Sequence, residues 1–600
     1  MDKIKFEKRS DIPEALTWDL SSLYVSDGDW ENDCSKVRLS ANKMQSFENR
    51  TANDGQTLLD CLNLHDEIEL TLERIYVYAR MKKDENNTES KYQGFLDKSR
   101  MLISEVSASI SFLIPELSNI SEEIIQKFFE EKPELLTYSH FFDVIKRHKS
   151  HILSSRDEEI LAEFSQLTSC PEDVFTMINN ADMDFGYVKN SHGEDLPLTH
   201  GSYISYLEST DPVLRKNAFK KLYSQYEKLK NTLAQTYSYS VKTNVVTSRL
   251  RNYSSPLKAA LFGDNISEKV YKNLVDTVNQ NLNILHRYMS LKKKVYGLHE
   301  MHMYDIYIPF ENTYERYIPF EEAVDIMKSA LLPLGDEYIK NVEKAVNSRW
   351  IDVYESPGKT SGAYSFGSYD SNPYILLNYN GKLKDVFTLV HEMGHSMHSF
   401  YTRANQPFAY GGHSIFTAEV ASTVNENLLM HYLINNSENN SERKYLYMMH
   451  LEEFRGTVFR QTMFAEFEAI AHHACQNGEV LTCEYLCEIY NELNSKYMGD
   501  NVYHDNEIAL EWSRIPHFYS AFYVYKYATG YLAASFIAQK ILSGNDKDRM
   551  GYLEFLKSGN SNYPIDLLKL AGVDMQSPEP INAGLSEFKK ILNELEKLYY

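Results

Sequence analysis

Two histidines and a glutamate near the middle of the chain have the spacing of a metal-dependent hydrolytic site. The stretch from Asp385 to Phe400, DVFTLVHEMGHSMHSF, contains His391, Glu392 and His395. On an α-helix, residues four apart are separated by about 6 Å along the axis and roughly 40° around it, so both imidazoles can reach one tetrahedral metal ion. Glu392 projects to the side of this pair, where a carboxylate can take a proton from water without binding the metal. The pattern therefore predicts zinc bound by the two histidines, with Glu392 as general base.

The residues that precede this motif indicate that its helix is buried. The apolar face of the helix consists of Val386, Phe387, Leu389 and Val390. A helix with such a face carries polar groups only where it meets a cleft. We therefore expect His391 and His395 to line a cleft.

A hydrolytic zinc ion needs a third protein ligand and one position that is open to water. In one superfamily of HExxH enzymes the third ligand is a histidine six residues after the second histidine, but Tyr401 occupies that position here. The other class takes a glutamate from a following helix. Glu419 is the first carboxylate after His395, and it opens the helical segment TAEVASTVNENLLMHYL. Glu426 lies two turns further along the same face, so it is either an alternative ligand or a partner that orients a ligating histidine.

Other histidines and cysteines do not predict a metal site. His398 is about 10 Å along the helix axis from His391, which is too far for it to join both ligands on one ion, so we expect it in the cleft wall or the core. A second group comprises His472, His473, Cys475, Cys483 and Cys487. This group has no C-x-x-C pair, and buried free thiols are the expected state of its cysteines.

The sequence around the motif resembles the thimet oligopeptidase class of zinc peptidases, and in particular its oligoendopeptidase F branch. The similar segments are HEMGHSMH, FTAEVASTVNE, IPEALTWDLSSLY, YSSPLKAALF, TVFRQTMFAEFE and IPHFYSAFYVYKYATGYLAA, which together span most of the chain. The resemblance implies that His391, His395 and Glu419 bind one zinc ion per chain and that Glu392 is the base. It also implies an endopeptidase that hydrolyses internal bonds of short oligopeptides.

An aromatic segment in the C-terminal third is expected to supply the other half of the site. HFYSAFYVYKYATGYLAA contains His517, Tyr519, Tyr523, Tyr525 and Tyr527. A tyrosine or histidine donor aimed at the oxygen that becomes anionic during peptide hydrolysis is worth about 3 kcal/mol. The resemblance assigns this role to His517 and Tyr523, with Tyr527, four residues later on a predicted helix, facing the substrate. Phe522 stands where relatives have a tyrosine five residues after the histidine, so the choice among these tyrosines stays open.

A β signal precedes the motif, in SGAYSFGSYDSNPYILLNYN. Glycines, an Asn-Pro break and an apolar run predict a small sheet beside the HExxH helix. Zinc peptidases commonly bind the substrate backbone as an extra strand on such an edge. We expect Gly362, Ala363 and Tyr364 to form that edge; the alternative is a core hairpin that does not contact substrate.

The rest of the chain predicts a mainly α protein. Residues from Gly28 to His200 read largely as helices, and turn-forming residues from Asn190 to Ser202 suggest a boundary. We expect an N-terminal helical domain at residues 1–200 that forms one wall of a channel, and a catalytic domain at residues 201–600. The resemblance implies a large two-lobed peptidase whose deep channel admits short flexible peptides and excludes folded proteins.

Composition narrows the partners and the compartment. A formal charge of −22 argues against nucleic acid or an anionic membrane as a partner. The N-terminus, MDKIKFEKRSDIPE, lacks the apolar core of a secretory signal, and no apolar run approaches the ~20 residues of a membrane span. Six scattered cysteines are consistent with reduced thiols. These features predict a cytoplasmic protein that acts on peptides.

Two alternative functions remain at the level of sequence. A zinc carboxypeptidase on a similar helical fold would need a basic residue for the terminal carboxylate, and Arg455, Arg460 and Lys526 are candidates. A peptide-binding protein with an inactive metal site is disfavoured because the candidate ligands and base are all present together. No Ser-His-Asp or Cys-His arrangement indicates covalent catalysis.

Overall fold

The computed structural model describes residues 6–309 and 316–600, and it confirms a mainly α fold. The first twelve α-helices are α1 Asp27–Met44, α2 Gly55–Glu85, α3 Ser90–Ile110, α4 Leu113–Asn119, α5 Glu122–Glu131, α6 Ser139–His148, α7 Ser155–Thr168, α8 Cys170–Met177, α9 His200–Leu207, α10 Pro212–Leu250, α11 Pro256–Phe262 and α12 Glu268–Gln280. The next twelve are α13 Leu282–Val295, α14 Phe320–Leu331, α15 Asp336–Asn347, α16 Leu383–Asn405, α17 Ile415–Asn435, α18 Asn440–Phe454, α19 Arg460–Gln476, α20 Cys483–Met498, α21 Tyr525–Leu542, α22 Asp546–Lys557, α23 Pro564–Leu570 and α24 Glu579–Tyr599.

Two small sheets interrupt the helices. The strands are β1 Tyr187–Lys189, β2 Asp195–Pro197, β3 Ile351–Asp352, β4 Tyr364–Phe366 and β5 Tyr374–Leu376. The first sheet is the antiparallel hairpin β1–β2, and the second has the order β3-β5-β4. Strand β5 pairs parallel with β3 and antiparallel with β4, so β4 is an edge strand.

The sequence predicted the second sheet but not the first. The hairpin falls where turn formers suggested only a boundary, and strands of three residues are too short for an alternating pattern to reveal. The predicted edge is also offset, because β4 begins at Tyr364, and Gly362 and Ala363 therefore precede the strand. Gly362 has a φ of 84°, a left-handed conformation that ends any extended run before it.

By internal packing the described chain divides into two compact units. The first takes the described parts of Met1–Ser150 and Glu315–Tyr432, together with Ile537–Gly572. The second takes the described parts of His151–Tyr314, together with Leu433–Phe536 and Val573–Tyr600. Each unit therefore contains residues from both predicted domains, 1–200 and 201–600. The assignment of a channel wall to the first domain and of catalysis to the second stays a prediction.

Within the first unit, α3 packs against α1 and α2. Its inward face carries Leu96, Leu102 and Val106. By length and composition the stretch Ser90–Asn119 could also cross a membrane, which for one such helix is weak evidence of a span.

Helix α16 is fixed at its start and buried along one face. The Asp385 carboxylate accepts hydrogen bonds from the backbone N–H groups of Asn380 and Lys382, at 2.9 and 3.0 Å, which satisfies two donors at the helix entrance. Val386 and Val390 are fully buried on the predicted apolar face, whereas Phe387 is only half-buried. This anchoring holds the HExxH turn in one orientation.

Candidate metal centre

The two helices that carry the candidate ligands cross at Gly394. A Cβ atom at this position would lie 2.6 Å from Ser422 Cα and 2.8 Å from the Ala421 carbonyl oxygen on α17. Only glycine permits so close an approach of the two backbones. The crossing brings Glu419, at the start of α17, next to the two histidines of α16.

His391, His395 and Glu419 meet as a compact group of donor atoms. The Nε2 atoms of the two histidines are 3.2 Å apart. Each lies 3.3 Å from the Oε2 atom of Glu419. The side chains keep 27%, 23% and 55% of their surface exposed, so the group is open to solvent on one side.

The donor spacing fits a tetrahedral metal ion. Donors about 2.0–2.1 Å from a tetrahedral zinc ion are about 3.3 Å from one another. The three observed separations of 3.2 to 3.3 Å form a nearly equilateral triangle of that size. Elsewhere in residues 6–309 and 316–600, no other group of three such side chains comes close enough to hold an ion.

Glu426 contacts the other side of His391. Its Oε1 atom lies 3.1 Å from His391 Nδ1, the ring nitrogen that faces away from the triangle. A carboxylate there accepts the Nδ1–H hydrogen bond and leaves Nε2 as the nitrogen with the free lone pair. The geometry thus joins Glu419 to the donor triangle and puts Glu426 in an orienting position.

The charge distribution of the site favours a cation. Burial alone would lower the pKa of His391, but its contacts with Glu419 and Glu426 raise that pKa to about 10. Burial would raise the pKa of Glu419, yet the two imidazoles hold it well below its usual range. Two carboxylates on these imidazoles therefore stabilise positive charge at the triangle, which is the charge that a metal ion supplies.

Glu392 is buried, with 7% of its surface exposed, unlike the two histidines of the HExxH turn, which are half-buried. Burial raises the pKa of this carboxylate, and the nearby imidazoles of His391 and His395 oppose the rise. The backbone N–H of Ser365 also acts on this carboxylate in the direction of a lower pKa. Ser365 Oγ lies 2.8 Å from Ser396 Oγ, which ties edge strand β4 to α16. Sequence reasoning missed Ser365, since a serine in a short strand carries no local signal.

Tyr364 is fixed at the start of β4. Its hydroxyl donates to the Asp84 carboxylate at 2.9 Å, and burial raises the pKa of the phenol. The carbonyl oxygen of Gly362 accepts a hydrogen bond from the Asn378 side chain at 2.8 Å. The strand edge is therefore held by side chains of its own unit.

Three of the predicted aromatic residues gather on an accessible face of the second unit. The His517 ring lies 6.2 Å from that of Tyr523 and 5.8 Å from that of Tyr527. The hydroxyl of Tyr527 is 3.3 Å from His517 Nε2. Because α21 begins at Tyr525, Tyr523 precedes the helix, and the predicted shared helix face does not exist.

The other two tyrosines of this segment lie apart from the group. The Tyr519 hydroxyl is 2.8 Å from that of Thr236, and its ring stacks on Phe175. Tyr525 is fully buried. The geometry thus places Tyr523 and Tyr527 with His517, whereas Tyr519 and Tyr525 pack elsewhere.

The remaining predicted histidines and cysteines occupy structural positions. His398 is buried, and the centroid of its ring lies 3.7 Å from that of the tilted His413 ring. Burial holds the pKa of His398 well below the usual range. Cys483 and Cys487 are free thiols with sulfurs 3.9 Å apart. His398 and Cys483 are buried as expected, whereas Cys475 and Cys487 are only half-buried and His473 is exposed.

Comparison with known proteins places the chain in a family. The model of peptidase family M3 matches residues 205–587, and the oligopeptidase F model matches residues 116–185. The chain is similar to oligopeptidase PepF of Bacillus subtilis, with 45% identity over 98% of this chain and 88% of the relative. It is also similar to group B oligopeptidase PepB of Streptococcus agalactiae, with 42% identity over 99% of this chain and 98% of that protein.

Solved structures agree with this assignment. Oligoendopeptidase-F from Enterococcus faecium has a TM-score of 0.74 and 36% identity, covering 96% of this chain and 99% of that one. A crystal structure from Chlamydophila abortus has a TM-score of 0.94 and 35% identity, covering 99% and 100%. Matched over nearly its whole length, the chain belongs to peptidase family M3, in its oligoendopeptidase F branch.

Proposed function

We propose that the protein is a zinc-dependent endopeptidase that hydrolyses internal bonds of short oligopeptides. The observation that carries the proposal is the donor triangle of His391, His395 and Glu419, with sides of 3.2 to 3.3 Å. Oligopeptidases among its relatives support peptides as the substrate class.

His391, His395 and Glu419 would hold one zinc ion per chain. Two neutral imidazoles and one carboxylate are a donor set that zinc hydrolases use. When bound, zinc acts as a Lewis acid that polarises the peptide carbonyl and lowers the pKa of water to about 7. Glu426 keeps the His391 ring oriented through its Nδ1 contact at 3.1 Å.

Glu392 acts as the general base. It takes a proton from the attacking water and later delivers it to the amine that leaves. Its burial suits this role, because a carboxylate with a raised pKa holds a proton more readily than an exposed one. No covalent intermediate is required, since water itself attacks the peptide carbonyl.

His517 and Tyr523 donate hydrogen bonds to the carbonyl oxygen as it becomes anionic. Family resemblance is the main support for this role. Their accessibility and their grouping with Tyr527 are consistent with it, and Tyr527 would contact the substrate. Burial lowers the pKa of His517, and the neutral imidazole that this favours still has one ring N–H to donate.

The free edge of β4 is proposed to bind the substrate backbone. An edge strand has unpaired backbone groups that can accept an added strand independently of peptide sequence. Tyr364 begins this strand, and Gly362 and Ala363 would extend the contact toward its start. The location of β4 next to Glu392, through Ser365, favours this interpretation over a hairpin without substrate contact.

The carboxypeptidase alternative has less support. Each basic candidate already pairs with a carboxylate: Arg455 with Glu452 at 2.8 Å, Arg460 with Glu511 at 2.7 Å, and Lys526 with Asp264 at 2.9 Å. To bind the C-terminal carboxylate of a peptide, a basic side chain must be available to that carboxylate. These pairs leave internal cleavage as the better reading.

End-blocked peptides distinguish the two activities. We expect a peptide of about ten residues with an acetylated N-terminus and an amidated C-terminus to be cut at internal bonds. Mass spectrometry of the products would show two complementary fragments. If only peptides with a free C-terminus were cut, and only one residue at a time, the endopeptidase proposal would be wrong.

A further inference from the structure

Phe522, directly before Tyr523, has an unusual backbone conformation. Its φ is 55°, in the left-handed region that residues with a side chain rarely adopt. The residue is nonetheless buried, with 3% of its surface exposed. An unfavourable backbone conformation persists only where surrounding contacts hold it.

Two hydrogen bonds hold this turn. The Tyr523 N–H donates to the Ser520 carbonyl oxygen at 3.2 Å, and a second contact holds the backbone of Phe522 itself. The Phe522 N–H donates a hydrogen bond to Glu468 Oε1 at 3.0 Å. Glu468 lies on α19 and is completely buried. Among the described residues its second oxygen, Oε2, has no hydrogen-bond partner, so the bond to Phe522 is the polar contact that this carboxyl group makes.

The Phe522 ring packs against two other aromatic rings. The ring lies 4.5 Å from that of His472 and 5.9 Å from that of Tyr271. The same three side chains also line a cavity of about 470 Å³. These ring contacts hold the side chain of Phe522, whereas the bond to Glu468 acts on the backbone of the same residue.

His472 and Tyr271 fix the wall around this turn. His472 Nδ1 donates to the Glu468 carbonyl oxygen at 2.8 Å, so Nε2 accepts from Asn244 Nδ2 at 3.2 Å. The Tyr271 hydroxyl donates to the Ala465 carbonyl oxygen at 2.5 Å. Both rings are thereby tied to α19, the helix that carries Glu468.

The left-handed residue determines where Tyr523 points. Phe522 stands where the family has a tyrosine, and its side chain lies in the core. The side chain of the next residue, Tyr523, points outward, toward His517 and Tyr527. A return of Phe522 to an ordinary backbone conformation would rotate the peptide bond that leads to Tyr523 and displace its hydroxyl.

We propose that Glu468 is a positioning residue for Tyr523, acting through the Phe522 backbone. The inference rests on the proposed role of Tyr523 in hydrolysis. Glu468 has no contact with substrate in this account. It holds the turn in which the tyrosine hydroxyl is aimed correctly before substrate binds.

The state of the carboxyl group indicates which variants are informative. Burial raises the pKa of Glu468 well above its ordinary value. A neutral carboxyl group accepts the Phe522 N–H through its carbonyl oxygen, which a glutamine amide can also do. Glu468→Gln therefore keeps the acceptor, Glu468→Leu removes it, and Glu468→Asp withdraws it by one methylene.

The test is a double-mutant cycle with Tyr523→Phe, measured on the zinc-loaded full chain. We expect Tyr523→Phe to lower kcat by about 10²-fold or more, as loss of an oxyanion donor does. Glu468→Leu should lower kcat by about 10- to 100-fold with KM changed less than about 2-fold, and Glu468→Gln should restore kcat to within about 3-fold. In the Tyr523→Phe background, Glu468→Leu should cost less than about 2-fold further, because both changes disable the same donor.

A matched control separates positioning from general stability. Glu466 lies on the same helix and contacts Lys496, Tyr497 and Asn279. Glu466→Gln should lower the Tm while kcat stays within about 2-fold. If Glu468→Leu fails to fold, Glu468→Asp replaces it in the cycle.

The outcomes distinguish the two claims. If Tyr523→Phe leaves kcat unchanged, the proposed role of Tyr523 fails, and the inference about Glu468 falls with it. If Tyr523→Phe lowers kcat but the acceptor-free Glu468 variants do not, only the inference is overturned. The inference would also be overturned if the fold-losses in kcat of Tyr523→Phe and Glu468→Leu simply multiplied in the double variant. The same holds if Glu468→Gln lowered kcat as much as Glu468→Leu.

Discussion

Glu392 differs from the neighbouring metal-ligand candidates in burial and in orientation. It retains 7% exposure, whereas the side chains of His391, His395 and Glu419 retain 27%, 23% and 55%. A base works best when it is desolvated and adjacent to the reacting water, while ligands must open toward the ion. At the scale of single residues, this difference in burial is what the proposed division between metal binding and proton transfer requires.

Glu392→Gln is expected to abolish most hydrolysis without loss of metal. The amide preserves the shape of the side chain but cannot take a proton, so kcat should fall by about 10² to 10⁴-fold. Zinc content, measured by atomic emission, should stay near one per chain, because Glu392 is not in the donor triangle. Unchanged turnover with intact zinc would remove the assignment of Glu392 as base.

Sequence reasoning was strongest for residues tied by helical spacing. His391, Glu392 and His395 are local in the chain, so the helix period was enough to predict how they face one another. Helical spacing left both Glu419 and Glu426 as possible ligands, and the choice of Glu419 rested on its place as the first carboxylate after His395 and on family resemblance. In the structure Glu419 lies beside the two Nε2 atoms, whereas Glu426 contacts His391 Nδ1. The one-residue shift to Tyr523 was visible in the sequence, but the left-handed turn behind it was not, because Phe522 there contacts Glu468, 54 residues earlier.

At the scale of elements, the close crossing of α16 and α17 is what brings ligands from two helices together. Gly394 allows this approach, with Ser422 Cα 2.6 Å from the position of a Cβ. Both neighbours there are backbone atoms, which cannot rotate out of the way. A side chain at 394 must therefore push the helices apart.

Gly394→Ala is expected to destabilise the fold and weaken zinc binding. Overpacking of this kind costs about 1–3 kcal/mol of unfolding free energy. Gly94→Ala is the matched control, because α3 is helical there and nothing lies within 4 Å of the added Cβ. That variant should be neutral or stabilised by about 0.4–1 kcal/mol. Urea unfolding and zinc titration measure both effects, and equal behaviour of the two variants would contradict the role given to Gly394.

His472, a buried histidine on α19, is expected to make the protein less stable in acid. Burial lowers the pKa of His472 to about 4, against about 6.5 in an unfolded chain. As the pH falls, the unfolded state therefore binds a proton at this histidine before the folded state does. The contribution of neutral His472 to the unfolding free energy is thus fully present above pH 6.5 and is lost between about pH 6.5 and 4. At pH 5 the loss is about 2 kcal/mol.

His472→Gln should remove this dependence. Between pH 7 and pH 5 the unfolding free energy of the variant should fall about 2 kcal/mol less than that of the unchanged protein. Urea unfolding at the two pH values measures the difference. Parallel losses in both proteins would mean that His472 is protonated in the folded state at pH 5.

At the scale of the whole molecule, the helical class was predictable and the division of the chain was not. Long stretches with helical periodicity indicated the fold class, as the helices α2 and α10 show. The two compact units are each built from three separate stretches of chain, and no linker composition marks such interleaving. Contacts between residues hundreds of positions apart, such as Arg9 with Asp352, define the units instead.

The predicted surroundings of the protein follow from composition and stay predictions. The net charge of −22 makes nucleic acid and anionic membranes unfavourable partners. The predicted cytoplasmic location likewise stays a prediction.

Removal and return of the metal test the central claim most directly. The protein is stripped with a chelator, dialysed, and assayed on an end-blocked peptide while zinc is titrated back. We predict that hydrolysis of internal bonds disappears in the stripped protein and returns in proportion to bound zinc, reaching full activity at about one ion per chain, as a single His391–His395–Glu419 triangle requires. Undiminished turnover by the metal-free protein would contradict the account.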